Sequence, residues 1–476
     1  MAENRDDAGL KAAIFNRLTR GEFRMAWDGI ISMARKALTK RGGLGPSYEN
    51  RDHLQQLIHD CIYAKGGDVS ARARTVELGA VYLHLSDTGR ELFHDILAHD
   101  FDIDRQVLAE KIKELEKAQN QKEAITAEIE LKNALTPPRI SLLTQFSSLP
   151  NGLKLLIDMR ATLLSRINED QRLCKLSLDI KELLAAWFDI GMLDLHEITW
   201  NSPASLLEKL IEYEAVHEIR SWGDLRSRLD SNRLCFAFFH NKMPAEPLIF
   251  VEVALGNKLS ANIQDLLNKE DDTIDPEHAT TAIFYSISNT QPGLAGINLG
   301  NFLIKTVVQE LSNQFDNLTH FATLSPLPGL KKWLGPRLAD GNEEVLRPKE
   351  IVTLKERFAC ENAVLYLSEI LTNDWYRDSN TSEIVKPILT RLCAQYLLAE
   401  RKGNKTLDPV ANFHLSNGAR LERINWLADI SETGMKLSYG IMVNYYYELA
   451  DIEKNHEQYA TKTHIVASRG VKALLK

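Results

Sequence analysis

The stretch Thr280–Leu311, TTAIFYSISNTQPGLAGINLGNFLIKTVVQEL, decides how the second half of this chain folds. Its first part is rich in β-branched and aromatic residues, which predicts a strand over 282–288. Glycines follow at positions 293, 296 and 300, and a helical pattern covers 297–314. In such a strand–turn–helix series, backbone N–H groups can approach a phosphate closely, and the helix N-terminus adds about half a positive charge. The stretch therefore predicts a place to hold a phosphorylated ligand.

Further strand-like runs lie on either side of this stretch, at 234–239, 248–255 and 320–324. The runs at 282–288 and 320–324 flank the predicted helix, and a strand–helix–strand unit pairs its two strands in parallel. The runs at 234–239 and 248–255 are separated by a connection of hairpin length. A helical block over 350–403 follows. These patterns predict an α/β domain in the second part of the chain.

The first part of the chain has a helical pattern nearly throughout. Its longest helical candidate, Asp104–Leu135, ends before Pro137 and Pro138, because proline lacks an N–H and restricts the residue before it. The apolar stripe of this candidate is thin and not a strict heptad, which favours a solvated helix on a bundle over a coiled coil. We therefore expect two domains, a helical one over 1–190 and an α/β one over 191–476.

Composition excludes several classes of function. At 476 residues the chain is long enough for two or more domains, and its net charge of −8 gives no electrostatic support for a nucleic-acid partner. No window contains 18 unbroken apolar residues, so no membrane partner is expected. The five cysteines lack CxxC spacing, which argues against zinc and disulfides and fits a reducing compartment. With no signal-peptide pattern in MAENRDDAGLK, a cytoplasmic location is expected.

The glycine spacing G-x-x-G-x-x-x-G narrows the choice of ligand. It matches neither the dinucleotide-binding fingerprint nor the Walker A loop, and no GK[ST] follows, so NAD and ATP are poorly supported. A pyrophosphate held by backbone groups alone, as in coenzyme A, remains open. From the glycine spacing alone, a tight turn that only packs a helix against a sheet is the slightly favoured alternative.

A candidate hydroxyl group lies at the end of the strand-like run 320–324. Ser325 directly follows this run and precedes Pro326, which holds the serine backbone extended. The C-terminal ends of strands in open α/β sheets are where ligands bind. Ser286 and Ser288, on the strand before the glycine turn, compete for the same role, and a serine that only satisfies a turn is a further alternative.

A candidate acid–base group is His414, which lies between Phe413 and Leu415. A partly buried imidazole with a pKa near neutrality is a common general acid or base, and its imidazolium form would donate a proton. His240 and His320 have an equal claim by residue type alone. In the run NYYYEL, a strand would turn Tyr445 and Tyr447 to the same face, where one hydroxyl could reach a site.

These residues fall in blocks that resemble the malonyl-CoA decarboxylase family in the same order and at similar spacing. The blocks are FYSISNTQPGLAGINLGNFLIKTVVQEL (284–311), FATLSPLPGLKKWL (321–334), and DPVANFHLSNGARLERINWLADIS (408–431) with VNYYYEL (443–449). The resemblance covers roughly 195–455 and is weaker over the helical part. It implies an N-terminal all-helical domain followed by an acyl-CoA N-acetyltransferase-like α/β domain with a mixed sheet. It also implies that the helical domain supports a homodimer or homotetramer.

The resemblance also implies roles for particular residues. A loop for coenzyme A falls on Ala295, Gly296, Ile297, Asn298, Leu299, Gly300 and Asn301. Ser325 falls on the catalytic proton acceptor, His414 on the proton donor and Tyr447 on a tyrosine near the site. Asn298 departs from the family, whose members carry an acidic residue there.

The reaction that the resemblance implies is the decarboxylation of malonyl-CoA to acetyl-CoA and CO₂. Loss of CO₂ leaves an enolate whose charge rests on the thioester oxygen, so the substrate is its own electron sink and no cofactor or metal is expected. An acyl-CoA N-acetyltransferase and a non-catalytic sensor of coenzyme A ligands are the alternatives. Selectivity against other short β-carboxyacyl-CoA esters, such as methylmalonyl-CoA, stays open.

Overall fold

The described residues of the first part of the chain are mainly helical, as the sequence predicts. The computed structural model describes residues 49–63, 68–188, 190–268, 274–297 and 299–476. The helices of the first part are α1 (Arg51–Tyr63), α2 (Asp68–His84), α3 (Asp87–His99), α4 (Arg105–Lys117), α5 (Gln121–Ala134), α6 (Arg139–Phe146), α7 (Gly152–Arg166) and α8 (Gln171–Trp187).

Helix α8 illustrates why these segments fold as they do. Asp170 caps it by accepting a hydrogen bond from the N–H of Arg172. Its side chains at 173, 176, 180 and 184 are buried, and their spacing of three to four residues places them on one face. The apolar periodicity in the sequence therefore corresponds to the face that enters the core.

The prediction of one long helix over Asp104–Leu135 is wrong. The segment forms two helices, α4 and α5, separated at 118–120. Asn120 ends the continuity because its side chain accepts a hydrogen bond from the N–H of Glu123 and so caps a new helix. Each helix keeps apolar side chains on its surface: Ile112 is 42%, Ile125 49% and Ile129 56% exposed.

The second part of the chain is built around a mixed sheet. Within the described residues, its eight strands are β1 (Leu193–Ile198), β2 (Arg233–His240), β3 (Met243–Gly256), β4 (Thr281–Asn289), β5 (His320–Thr323), β6 (Ser325–Pro326), β9 (Arg420–Asn425) and β10 (Met442–Tyr447), and β7 (Arg401–Lys402) and β8 (Lys405–Thr406) form a separate small sheet. The order in the main sheet is β1-β2-β3-β4-β5-β10-β6, and β9 pairs with β10.

Strand pairing confirms the topology expected from the sequence. β4 and β5 are parallel, with Thr281 opposite His320, so the predicted strand–helix–strand unit is present. β3 and β4 are antiparallel, with a register shift next to Glu252. β10 runs antiparallel to both β5 and β6. The expected order of an all-helical region followed by a mixed-sheet domain is therefore confirmed.

Helices connect and cover the strands of this second part. They are α9 (Ala204–Tyr213), α10 (Trp222–Arg228), α11 (Ile263–Leu267), α12 (Gly300–Gln314), α13 (Leu330–Ala339), α14 (Pro348–Phe358), α15 (Ala363–Ile370), α16 (Ser379–Leu398), α17 (Pro409–Ser416), α18 (Glu432–Ser438), α19 (Ile452–Lys462) and α20 (Arg469–Ala473). None of the helices described is long and apolar enough to cross a lipid bilayer.

The two faces of β5, β6 and β10 carry different kinds of residues. Ala322, Leu324, Met442 and Tyr446 belong to one buried apolar cluster, together with side chains of α11. The residues between them in sequence point to the opposite face, because side chains alternate along a strand. That opposite face presents the residues at positions 323, 325, 445 and 447.

Backbone contacts divide the chain into two compact units. The first consists of Met1–Asp194 with the two short segments Phe239–Glu246 and Gln291–Asn298, and the second contains the remaining residues. The segment Gln291–Asn298, which carries most of the glycine turn, therefore groups with the helices. The predicted domain boundary at residue 190 stays a prediction.

Candidate active site

Ser325 begins strand β6 and lies opposite Val443 of β10. Its hydroxyl lies 3.1 Å from Nε2 of His414 and donates a hydrogen bond of 2.8 Å to the hydroxyl of Thr323. Thr323 lies two residues earlier and therefore on the same face, and its hydroxyl also accepts a hydrogen bond from the N–H of Tyr445. Strand pairing thus fixes the position of the serine hydroxyl.

His414 lies on helix α17, which begins with Pro409 after the cap residue Asp408. The imidazole is 2% exposed, and its ring stacks on that of Tyr445 with 4.6 Å between centroids. Its Nδ1 lies 2.8 Å from the hydroxyl of Tyr447. The prediction that Tyr445 and Tyr447 share a strand face is confirmed by these two contacts with the same ring.

The hydrogen-bond network assigns the tautomer of His414. Nδ1 is the partner that the described residues offer to the buried Tyr447 hydroxyl, which needs an acceptor for its proton. Nδ1 therefore accepts, and Nε2 carries the imidazole proton and donates it to Ser325. The donors run in one direction, from Tyr447 to His414 to Ser325 to Thr323.

The charge state of His414 differs from the sequence-based expectation. Burial lowers the pKa of His414 from 6.5 to about 3, because the protonated ring would lose its hydration. The expectation of a partly buried imidazole that titrates near neutrality is therefore wrong. At neutral pH the ring is neutral and donates one hydrogen bond through Nε2.

A cavity of about 230 Å³ opens beside this pair. Ser325 and His414 are part of its wall, and the other lining residues are Val216, Ile249, Phe284, Tyr285, Ile287, Asn289, Pro326, Pro409, Val410 and Phe413. With His414 neutral, none of these described lining residues carries a full charge. The cavity therefore offers a small, mostly apolar space with a few hydrogen-bonding groups.

Asp408 links the serine segment to the histidine helix, a role that sequence reasoning missed. Its carboxylate accepts hydrogen bonds from the N–H groups of Val410 and Ala411 at the start of α17. The same carboxylate accepts from the Tyr396 hydroxyl and from the N–H of Gly329, four residues after the serine. The pair Asp408–Pro409 predicts a helix cap locally, but its contact with Gly329 is tertiary.

The competing serines have another partner. Ser286 and Ser288 both donate hydrogen bonds to the buried carboxylate of Glu214, at 2.7 and 3.0 Å. Glu214 also accepts from the N–H groups of Val216 and His217. These two serines therefore fix the loop after α9.

The competing histidines also have structural partners. Nε2 of His240 lies 3.2 Å from the carbonyl of Trp187, and its Nδ1 accepts from the N–H of Lys242. His320 contacts the hydroxyl of Tyr446. The structure thus brings together Ser325, His414 and Tyr447. The competing serines and histidines form hydrogen bonds elsewhere.

The predicted loop for coenzyme A starts after a single helical turn at Pro292–Leu294. The carbonyl of Ala295 accepts a hydrogen bond from Arg160, and Gly296 has a positive φ of 75°. Leu299 is buried, and Gly300 and Asn301 begin α12. Asn298 lies outside the described residues, so its departure from the family has no structural account.

Comparison with known proteins places these features in a family. Residues 191–476 match the family model described as the malonyl-CoA decarboxylase C-terminal domain, and residues 101–188 match the N-terminal domain. The mitochondrial malonyl-CoA decarboxylase of Anser anser anser is 38% identical over 391 residues, which span 79% of this chain and 77% of that protein. The Rattus norvegicus protein is 36% identical over 394 residues, or 80% of each chain.

Solved structures agree with the sequence comparison. The crystal structure of malonyl-CoA decarboxylase from Rhodopseudomonas palustris has a TM-score of 0.81 and 39% identity, covering 89% of this chain and 99% of that one. The protein from Agrobacterium vitis gives a TM-score of 0.80 and 38% identity with the same coverage. This chain therefore shares its helical region and its mixed-sheet domain with solved decarboxylases. This chain belongs to the malonyl-CoA decarboxylase family.

Proposed function

We propose that Ser325 and His414 act as a pair in the decarboxylation of malonyl-CoA to acetyl-CoA and CO₂. The reaction itself follows from membership of the family, and the chain is an enzyme. The observation that carries the proposed mechanism is the 3.1 Å contact between the Ser325 hydroxyl and Nε2 of His414 at the wall of an apolar cavity.

The direction of the hydrogen bond supports proton donation over nucleophilic attack. A serine nucleophile needs a histidine nitrogen that accepts its proton. In the assigned tautomer Nε2 is protonated, so His414 donates and Ser325 accepts. The pair is therefore suited to deliver a proton to a developing carbanion while the hydroxyl orients the acyl group.

The apolar cavity favours loss of CO₂. A malonyl carboxylate that enters it loses water and meets no cation among the described lining residues, whereas the enolate places its charge on the thioester oxygen. The reaction consumes one proton. The entering carboxylate favours protonation of the neutral His414 at Nδ1, since an opposite charge at close range raises a histidine pKa, and the Tyr447 oxygen then accepts from Nδ1. The Nε2 proton then goes to the α-carbon, which gives acetyl-CoA.

The test compares Ser325→Ala with Ser288→Ala in a direct assay of CO₂ release from malonyl-CoA without any amine acceptor. We expect a fall in kcat of about 10²- to 10⁴-fold for Ser325→Ala, the usual range for acid–base groups, and wild-type kcat for the control. In D₂O the wild-type product should carry one deuterium at its methyl group. Equal losses in both serine variants would contradict the assignment, and turnover that depends on an added amine would indicate an acyltransferase.

We further propose that the reaction uses no cofactor or metal. Support comes from the substrate, whose thioester accepts the electron pair, and from the described residues, which contain no group of three or more potential metal ligands. Enzyme dialysed against a chelator should keep its kcat. A loss of activity that an added metal restores would overturn this proposal.

We also propose that the helical part mediates self-association into a dimer or tetramer. The exposed isoleucines of the adjacent helices α4 and α5 support this, because apolar side chains at helical spacing form contact surfaces. Light scattering of Ile125→Glu/Ile129→Glu should show a smaller assembly than the wild type. Val352→Glu is the matched control, because Val352 is a similarly exposed residue on α14. An unchanged mass in the double variant would reject this surface.

Finally, we propose a reducing compartment such as the cytoplasm. All five cysteines are free, and Cys61, Cys235 and Cys393 are buried. Cell fractionation would test this, and a chain recovered from an oxidising compartment would contradict it.

A further inference from the structure

Arg160 of helix α7 is a buried guanidinium that binds backbone carbonyls. It is 4% exposed and donates hydrogen bonds to the carbonyls of Gly293, Ala295 and Ser177, the last two at 2.8 and 3.3 Å. No carboxylate among the described residues forms an ion pair with it. A buried charge is costly unless its donors are satisfied, so the carbonyls of the turn are its principal partners.

A second contact fixes the same turn on the same helix. A Cβ atom on Gly293 would lie 1.9 Å from the carbonyl oxygen of Ile157, a distance that no side chain can adopt. Glycine is therefore required for the turn to approach the α7 backbone. Arg160 follows Ile157 by one helical turn, so both contacts come from one side of α7.

The carbonyl contacts determine where the N–H groups of the turn point. In a planar trans peptide the C=O and the following N–H point in opposite directions. Because the Ala295 carbonyl points toward Arg160, the N–H of Gly296 points away from it. This N–H has no hydrogen-bond partner in the part of the chain that the structure describes, whereas the N–H groups of Leu294, Ala295 and Ile297 bond within the turn.

The surroundings of Gly296 favour an anion. Its positive φ of 75° is a conformation that suits glycine, and the residue is exposed. The ammonium group of Lys181 on α8 lies 3.3 Å from the position that a Cβ of Gly296 would take. Lys181 has no ion-pair or hydrogen-bond partner among the described residues, so its charge is available to a ligand.

We propose that Arg160 is a positioning residue for coenzyme A. By holding the carbonyls of Gly293 and Ala295, it orients the N–H of Gly296 toward a phosphate oxygen of the substrate. The inference rests on the proposed role of residues 295–301 as the coenzyme A loop. It adds a residue from the helical part of the chain, far in sequence from the loop, to the determinants of substrate affinity.

The test uses two substrates, malonyl-CoA and malonyl-pantetheine, which has the same thioester but lacks the phosphates. For Arg160→Met we expect the KM for malonyl-CoA to rise about 10- to 100-fold, the effect of losing charge-assisted hydrogen bonds, with kcat within about threefold of wild type. Turnover of malonyl-pantetheine should stay within about twofold of wild type, because that substrate does not use the loop. Arg160→Lys should give an intermediate KM.

Arg166→Met is the matched control. Arg166 lies on the same helix and binds Asp95 and Glu169 instead of the turn. It should leave the ratio of kcat/KM for the two substrates unchanged. An equal fall in kcat/KM for both substrates in Arg160→Met would indicate a general structural role and overturn the proposal. An unchanged KM for malonyl-CoA would also overturn it. If the wild type itself fails to distinguish the two substrates, the loop does not bind the phosphates and the underlying function of 295–301 is wrong.

Discussion

Two buried histidines, one in each unit of the molecule, both have a tyrosine hydroxyl as the partner of one ring nitrogen. His94 on α3 lies 2.9 Å from the Tyr82 hydroxyl, and His414 on α17 lies 2.8 Å from the Tyr447 hydroxyl. Burial lowers the pKa of each to about 3. They differ at the second ring nitrogen, because Nδ1 of His94 has no described partner, whereas Nε2 of His414 meets Ser325 at a cavity.

This comparison shows which features indicate chemistry. Burial, a depressed pKa and a tyrosine partner occur at both histidines, so none of them separates a structural ring from a reactive one. The distinguishing features are a second polar partner and access to a space that holds a substrate. Five experiments test this distinction.

The largest difference is expected in kcat, between the variants His414→Gln and His94→Gln. His414→Gln should lower kcat by about 10²- to 10⁴-fold, because the proton donor is lost. His94→Gln should leave kcat within about twofold and lower the free energy of unfolding by about 1–3 kcal/mol, the cost of a disturbed buried hydrogen bond. Steady-state kinetics and chemical denaturation of both variants measure this, and a comparable fall in kcat for both would remove the distinction.

A smaller difference is expected from the residues that cap the two helices. Asp408→Asn weakens the contacts that hold both α17 and Gly329, so kcat should fall about 10- to 100-fold through misplacement of the pair. Ser86→Ala removes the cap of α3 and should cost about 1 kcal/mol of stability without changing kcat. Wild-type kcat in Asp408→Asn would show that the pair does not depend on this link.

A smaller difference in kcat is expected between variants of the two tyrosines that contact these histidines. Tyr447→Phe removes the donor to Nδ1 and with it the constraint on the tautomer, so we expect kcat to fall about 2- to 10-fold, matching a net hydrogen bond of about 1 kcal/mol. Tyr82→Phe should change stability by a similar free energy and leave kcat unaltered. The assignment of Nε2 as the protonated nitrogen is wrong if Tyr447→Phe has wild-type kcat at every pH.

The smallest difference between the two histidines is expected in their response to pH, where they should behave alike. Each binds a proton near pH 6.5 when unfolded and near pH 3 when folded, so between these values the unfolded state holds more protons. The free energy of unfolding therefore falls as pH falls through this window, by about 1.4 kcal/mol per pH unit for each histidine. His94→Gln should reduce that slope by one such increment.

The same lowered pKa predicts that kcat/KM has no ionisation near pH 6.5 attributable to His414, because kcat/KM reports groups of the free enzyme. An ionisation at that pH that disappears in His414→Gln would show that the ring is hydrated in solution.

The local parts of this fold could be predicted from sequence. The strand, turn and helix at 280–311 follow from residue patterns a few positions apart, and so does the shared face of Tyr445 and Tyr447. The break between α4 and α5 was missed because Asn120 stands in a continuous run of Lys, Glu and Gln. Asn120 and Glu123 nevertheless have the three-residue spacing of a helix cap, a local signal that sequence reasoning overlooked.

The candidate site divides in the same way. Ser325 and His414 were found by resemblance to a family, since either residue alone has a common structural explanation. The contacts of Asp408 with Gly329 and of Arg160 with Gly293 join positions 79 and 133 residues apart, so no local pattern encodes them. The prediction that His414 titrates near neutrality is wrong for the same reason, because the burial that lowers its pKa depends on the whole tertiary structure.

The close approach of Gly293 to Ile157 has a consequence for how such a chain can change over generations. Two segments far apart in sequence meet backbone to backbone. A chimera that joins the helical half of one relative to the sheet half of another would therefore fold only where both halves preserve that contact. The halves of this polypeptide are therefore expected to be inherited as one unit, not traded as independent modules.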